Sequence, residues 1–323
     1  MQKNRYKKQN AVINAFSIAL FAFAGRAITV GRGSLIDVFA AALLALALMP
    51  AAAVASGSLL VGKGGREKKS TGGKIFYGFF SSLAAVAAFC IAAVSVKEFS
   101  AFAAEVMFVR LPLWVVTAIF LGFCAYLSAG GGGVIRKFAF VSFLIVSAVV
   151  LVLFFLSLPN FDTSDADWLL KFKDISAGGV VSALGGIFAP AVIAVIYLSA
   201  TGRHKQDRVR APEAALAVLL TALLLLVCFL NVNLLLGEFF GPTRDYPYSE
   251  AVSTVTAGKL FARMEGFVYV MYYAAAAVKT SVSVAFICLL AKGLVPKEWE
   301  NKRIMKLLPC IVAAIVGVLS LIL

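Results

Sequence analysis

The sequence predicts an all-α polytopic membrane protein, and three observations carry that reading. Hydrophobic residues fill 62% of the 323 positions and charged residues 14%, against about 45–50% and about 25% in ordinary globular chains. Apolar runs recur that reach the roughly 20 residues a helix needs to cross a bilayer. None of them alternates with a period of two, which argues against an outer-membrane barrel. The mean hydropathy of +0.95 also excludes a disordered chain, a disulfide scaffold and a collagen-like repeat, each of which needs a different composition.

About nine spans are expected, at 11–30, 35–56, 75–96, 112–128, 138–158, 177–199, 213–237, 267–291 and 306–323. The first follows a basic tail and resembles a signal peptide. No small-residue cleavage site leads into a soluble domain, so this segment is expected to stay in the mature chain. Only some fourteen patterned residues precede Gly25-Arg26 and the stretch Ala27 to Gly33, so it reads as interrupted. The third ends in Val96-Lys97-Glu98-Phe99-Ser100, which puts an opposed charge pair at a membrane boundary, where such pairs commonly anchor helix ends. Between the fourth and fifth lie Gly130 to Gly133, read as a flexible linker rather than a phosphate loop because no strand precedes them. The sixth carries Gly178-Gly179, Gly185-Gly186 and Pro190 and also reads as broken. Asn231 and Asn233 close the seventh, placed to hydrogen-bond across helices. In the following loop Val252, Val255, Leu260, Phe261 and Met264 share one side of a helix over 248–264, an amphipathic element able to lie over the bundle mouth. The eighth holds Lys279, and the ninth reaches the last residue.

Orientation follows from Lys and Arg, which gather on the cytoplasmic side. With the N-terminus inside, twenty of the thirty basic residues fall in inside segments, nine fall outside, and Lys279 lies within a helix. The net charge of +14 is therefore a topology signal and an attraction for anionic lipids, and nucleic-acid binding is not expected.

Cys90, Cys124, Cys228, Cys288 and Cys310 all lie in apolar segments without paired spacing and read as small hydrophobes. His204, the single histidine, sits in a basic loop, leaving little for a His-based metal site or a serine triad. No enzymatic chemistry, catalytic residue, cofactor or metal is expected.

The informative features are polarity and backbone breaks at membrane depth. A charge at the bilayer centre costs about 2.5–3.5 kcal/mol on insertion scales. Lys279 lies about 18 Å from either end of its span at about 1.5 Å per residue, too far to reach water. Its helical neighbours Tyr272, Ala275, Ala276 and Ser283 form a small, weakly polar stripe, so the ammonium should face the bundle. It is either a ligand, ion or proton site, or a structural ion pair or cap on freed carbonyls. Arg263 and Glu265 before the same helix read as a local salt bridge. Broken first and sixth helices point to a transporter's midplane site, although membrane helices are also simply richer in Gly and Pro.

Several short motifs, collinear over roughly residues 75–300, resemble those of one family. Tyr246-Pro247-Tyr248-Ser249-Glu250, then Gly258-Lys259-Leu260-Phe261-Ala262-Arg263-Met264-Glu265, then Val278-Lys279-Thr280-Ser281 on an aromatic-rich helix are similar to the B-subunit permeases of spore germination nutrient receptors (GerAB-like). Lys97-Glu98-Phe99-Ser100-Ala101-Phe102, Leu111-Pro112-Leu113-Trp114-Val115-Val116 and Leu158-Pro159-Asn160-Phe161 fit the same family.

The resemblance implies an amino acid–polyamine–organocation (APC) transporter fold, with inverted five-helix repeats and ligand held at the breaks of helices one and six. It places 1–158 in the first repeat and 159–323 in a second, incomplete one within a single transmembrane domain. The implied ligand-binding residues are Gly25, Gly185, Gly186, Lys279, Tyr272 and Ser283, with Lys97, Glu98, Arg263 and Glu265 as gating or structural charges. Helix eight borders the usual sodium site of this superfamily, so the Lys279 ammonium is expected in place of a bound cation. The implied partners are a small nutrient germinant, an A-type and a lipoprotein C-type subunit, in the cell membrane or the inner membrane of an endospore.

Three departures stand against the pattern. The tenth helix is lacking, so the sequence is either truncated or divergent; no clear proline follows the first break; and Phe188-Ala189-Pro190-Ala191-Val192-Ile193 lacks the acidic residue of many relatives. Small and apolar surroundings suit a small zwitterion held by backbone groups. A secondary amino acid permease and a non-transporting membrane scaffold remain as the alternatives.

Overall fold

A computed structural model describes residues 2–27, 35–59, 71–108, 110–161, 177–202, 208–240, 244–255, 264–294 and 303–322. Among these the regular elements are helical: α1 (Gln2–Ala24), α2 (Leu35–Leu59), α3 (Thr71–Phe102) with a π turn at Ala103–Met107, α4 (Leu113–Ala129), α5 (Gly131–Ser157), α6 (Ala177–Thr201), α7 (Ala211–Phe240), the short α8 (Pro247–Ser253), α9 (Glu265–Leu294) and α10 (Arg303–Ile322).

Among the described residues five helical stretches are long and apolar enough to cross a membrane: Ser81–Met107, Gly131–Asn160, Ala177–Thr201, Ala211–Gly237 and Glu265–Lys292. Shorter apolar stretches occupy Gln9–Ala24, Asp37–Ala53, Leu113–Ala129 and Leu307–Ile322. At about 1.5 Å per residue these span about 25 Å, a little under the roughly 30 Å hydrocarbon core.

Two elements depart from expectation. The third helix does not stop at Val96, because nothing between Lys97 and Phe102 breaks a helix. It ends only in the π turn, where Phe108 N donates to Ala103 O at 2.7 Å, shortly before Pro112 caps α4. The Lys97–Glu98 pair is therefore inside a helix instead of at its end. The sixth helix carries no interruption over 177–201, and Pro190 is accommodated within it.

The helices sort into two groups. In one, α2 lies along α6 and α7, and α1 packs against α7 and α6; in the other, α3 lies along α9 and α10, with α4 against both. α5 and α9 also reach α1, so α1 and α9 are where the groups meet. α9 is the most enclosed, with 89% of its apolar window buried. Beyond its first turns, where Phe267 and Val270 are exposed, a side chain on α9 therefore meets mostly protein.

The expected flexible linker is instead a tight joint. Gly131 has φ +75°, a conformation open to glycine at little cost, and a side chain on Gly132 would press into Thr201 at the end of α6. Gly237, φ +79°, bends α7 near its end.

Candidate functional site

The centre of the molecule is built where α1 stops. Its last turn is closed by Gly25 N to Ala22 O at 3.1 Å and Arg26 N to Phe23 O at 3.0 Å. A side chain on Gly25 would run into the carbonyl of Gly186, halfway along α6, and one on Gly186 would meet the Arg26 side chain. The two backbones approach closely because both positions are glycine. Gly185, one residue away, has open space where a Cβ would stand. Arg26 Nη2 donates to Ser182 Oγ at 3.0 Å on α6, so a guanidinium, a hydroxyl and the bare Gly185 backbone share this face.

α9 supplies the second wall. Lys279, halfway along it, is 4% exposed, and its carbonyl accepts from Ser283 Oγ at 2.9 Å. Thr280, Ser281 and Ser283 are wholly buried. Ser128 on α4 donates to the Ser281 carbonyl at 2.9 Å, locking α4 to this stretch. Glu98 on α3 is the carboxylate whose field reaches both Lys279 and Arg26. Glu98 thus attracts both Lys279 on α9 and Arg26, two residues past the end of α1.

One end of the bundle is held by buried polar bonds. Asn14 of α1, fully buried, donates to Glu213 Oε2 of α7 at 3.0 Å, and Arg210 Nε stands 3.9 Å from the same carboxylate. Ser17 of α1 donates to Arg136 O of α5 at 3.1 Å. Arg136 Nη2 donates to Leu198 O of α6 at 3.2 Å, and Thr221 of α7 to Ala19 O at 3.1 Å. At the other end the bonds are exposed: Tyr246 Oη to Glu105 Oε2 at 3.0 Å, and Arg244 to Glu250 at 3.2 Å. α8 is set into the bundle there, with Pro247, Tyr248, Ala251 and Val252 buried. The amphipathic element expected over 248–264 is described as far as Val255, and residues 256–263 lie outside the described residues.

Of the residues named from sequence, Gly25 and Gly186 come together at the α1–α6 contact. Gly185 faces open space beside them, and Lys279 and Glu98 are electrostatically linked. Lys97 is exposed and Glu98 half-buried. Ser283 is occupied within its own helix. Tyr272 is fully buried against Phe102, ring centroids 4.9 Å apart, with its hydroxyl toward Cys228 and Tyr248. Arg263 lies outside the described residues; Glu265 accepts from Tyr269 Oη at 3.2 Å. Sequence reasoning missed Arg26, named only as part of the Gly25-Arg26 break, and the pair Asn14 and Glu213. A lone amide inside the first apolar run and an acid opening the seventh were the available signals.

The family model for spore germination proteins, Spore_permease, matches residues 68–323. No curated protein matches the sequence. Among solved structures the chain is similar to a Na+-coupled sialic acid symporter in a substrate-bound outward-open state. That likeness has a TM-score of 0.60 at 14% identity, over 97% of this chain and 73% of that one. It is also similar to Mhp1, a nucleobase-cation-symport-1 family transporter in a closed conformation with bromovinylhydantoin bound, with a TM-score of 0.62 at 14% identity, over 96% and 70% of the two chains. At such identity the likeness establishes the fold alone.

Proposed function

The chain belongs to the spore germination protein family, and from that premise we propose that it is the permease-like B subunit of a germinant receptor, binding a small neutral amino acid near the membrane midplane. The observation that carries this reading is the meeting of Gly25 and Gly186, where α1 ends against the middle of α6 and leaves backbone groups for a ligand. Arg26 and Ser182 stand on the same face, and Lys279 and Glu98 lie within the bundle beside it. A zwitterion offers a carboxylate to the cations and an ammonium to Glu98 and free carbonyls. The Lys279 ammonium takes the place of a coupled cation, making binding independent of sodium. In this reading the N-terminus is cytoplasmic, the nine apolar segments span the cell membrane or the endospore inner membrane, and an A-type and a lipoprotein C-type subunit complete the receptor. Basic inner loops contact anionic lipids.

Thermal shift of the purified protein against a panel of small amino acids tests this. Stabilisation by at least one of them, unchanged on replacing sodium with choline and lost in Lys279→Met, is the expected result. A folded sample that no amino acid stabilises would remove the ligand and leave the scaffold alternative.

A further inference from the structure

A second polar cluster lies apart from the α1–α6 contact, under α8. Cys228 and Asn231 from α7, Tyr248 from α8 and Tyr272 from α9 are all fully buried. The Tyr248 hydroxyl stands beside the Cys228 thiol and the Asn231 amide. Even so, both polar atoms of Asn231 and the hydroxyls of Tyr248 and Tyr272 make no hydrogen bond of acceptable geometry. Four unsatisfied atoms converging at one place are unusual, since at least about 90% of buried polar groups are satisfied. Each is destabilising if left so.

Among the described residues no charged side chain belongs to the cluster. The Tyr248 phenol, raised well above its ordinary pKa by burial, stays neutral. The donors and acceptors are therefore balanced for an uncharged molecule that both gives and takes hydrogen bonds. The roof over them is a seven-residue helix, short enough to move as a unit, whose exposed Arg244–Glu250 and Tyr246–Glu105 bonds exchange cheaply for bonds to water.

We propose that Asn231, Tyr248 and Tyr272 form a neutral hydrogen-bonding site that binds hydroxyl groups, those of water or of a small uncharged polyol, when α8 lifts. The arrangement described here, with α8 set over the cluster, is then the closed member of a pair of states. In the open one the hydroxyl occupant bridges the amide and the two phenols, as internal waters do elsewhere.

Millisecond X-ray hydroxyl-radical footprinting of the full chain in detergent reads the site directly, because radicals form on water bound beside a side chain. The expected result is labelling of Cys228, Tyr248 and Tyr272 despite their burial, with fully buried Met49 unlabelled. Asn231→Leu should reduce labelling at the two tyrosines to background. Added glycerol that suppresses the labelling identifies a polyol as the occupant, and labelling indifferent to glycerol identifies water. Silence at all three residues overturns the proposal, as does equal labelling of Met49, which would mean general opening. The melting temperature gives a second reading with Asn231→Leu and Tyr272→Phe. A bridged cluster loses stability when a member is removed, whereas a rise in both variants would show a permanently dry cluster and overturn the site.

Discussion

At the end of the bundle holding Asn14, four helices are joined through groups buried or partly buried from solvent: an amide on a carboxylate, a guanidinium on a carbonyl, a hydroxyl on a backbone oxygen. At the end holding α8 the corresponding bonds, Tyr246 to Glu105 and Arg244 to Glu250, are exposed. Breaking a bond of the first kind strands a desolvated polar group at about 1–3 kcal/mol. Breaking one of the second exchanges it for water at about 0–1 kcal/mol. The conformation described here is therefore latched by polar bonds at one end, while at the other the polar bonds are weak and α8 is held chiefly by its buried side chains.

The joint between the ends gives the largest expected effect. Gly25→Val drives a branched side chain into the Gly186 carbonyl. Nothing there is the flexible tip of a side chain, so the cost should exceed the about 1–3 kcal/mol of ordinary overpacking and abolish the monodisperse folded protein in detergent. Gly185→Ala is the matched control. It meets open space and removes a helix-interior glycine, so it should raise stability by about 0.5–1 kcal/mol. Equal melting temperatures for the two variants would mean that α1 and α6 do not meet at these glycines.

Next comes the latch. Asn14→Leu takes the buried amide from Glu213 and leaves the carboxylate with Arg210, 3.9 Å away and 39% exposed. We expect a loss of about 2 kcal/mol, read as a fall in melting temperature. An unchanged melting point would place the latch elsewhere and erase the contrast between the ends.

The contrast also separates what the chain's residues disclosed from what they did not. Lys279 was legible because a lone charge midway along an apolar run must face protein, and in α9 it does. Gly25 and Gly186 were legible as glycines in otherwise regular segments, though for a partly wrong reason: α6 is continuous, and Gly186 serves close approach, not a break. Gly131 and Gly132 were misread as a slack linker, since a run of glycines looks the same whether it is loose or pressed against a neighbour. The latch stayed hidden because Asn14 and Glu213 are 199 residues apart and neither belongs to a motif. Spacing along one helix discloses which face is polar, whereas partners on another helix depend on packing that no local pattern contains.

A smaller effect is expected where the two helix groups are pinned together. The single hydroxyl proton of Ser128 is shared between Cys124 O of its own helix, 2.7 Å, and Ser281 O of α9, 2.9 Å. Ser128→Ala leaves carbonyls but strands no donor, so the loss should be about 0.5–1.5 kcal/mol, between the joint and the lid. A loss as large as that of Asn14→Leu would move the rigid core from the latch to the α4–α9 seam.

The smallest effect is expected at the lightly held end. Tyr246→Phe removes the exposed bond to Glu105 but keeps the ring against Phe102, with centroids 4.9 Å apart. The stability change should stay below about 0.5 kcal/mol, as for other exposed polar pairs. What should change is access. With that exposed bond gone, α8 is released more often, and maleimide modification of Cys228, fully buried beneath it, should accelerate while the melting temperature holds. Cys124, fully buried between α4 and α9, reports on the seam and should not accelerate with it. If both thiols speed up together, the variant has loosened the whole bundle. If neither does, the exposed bonds do not hold α8, and the two ends differ in burial without differing in ease of opening.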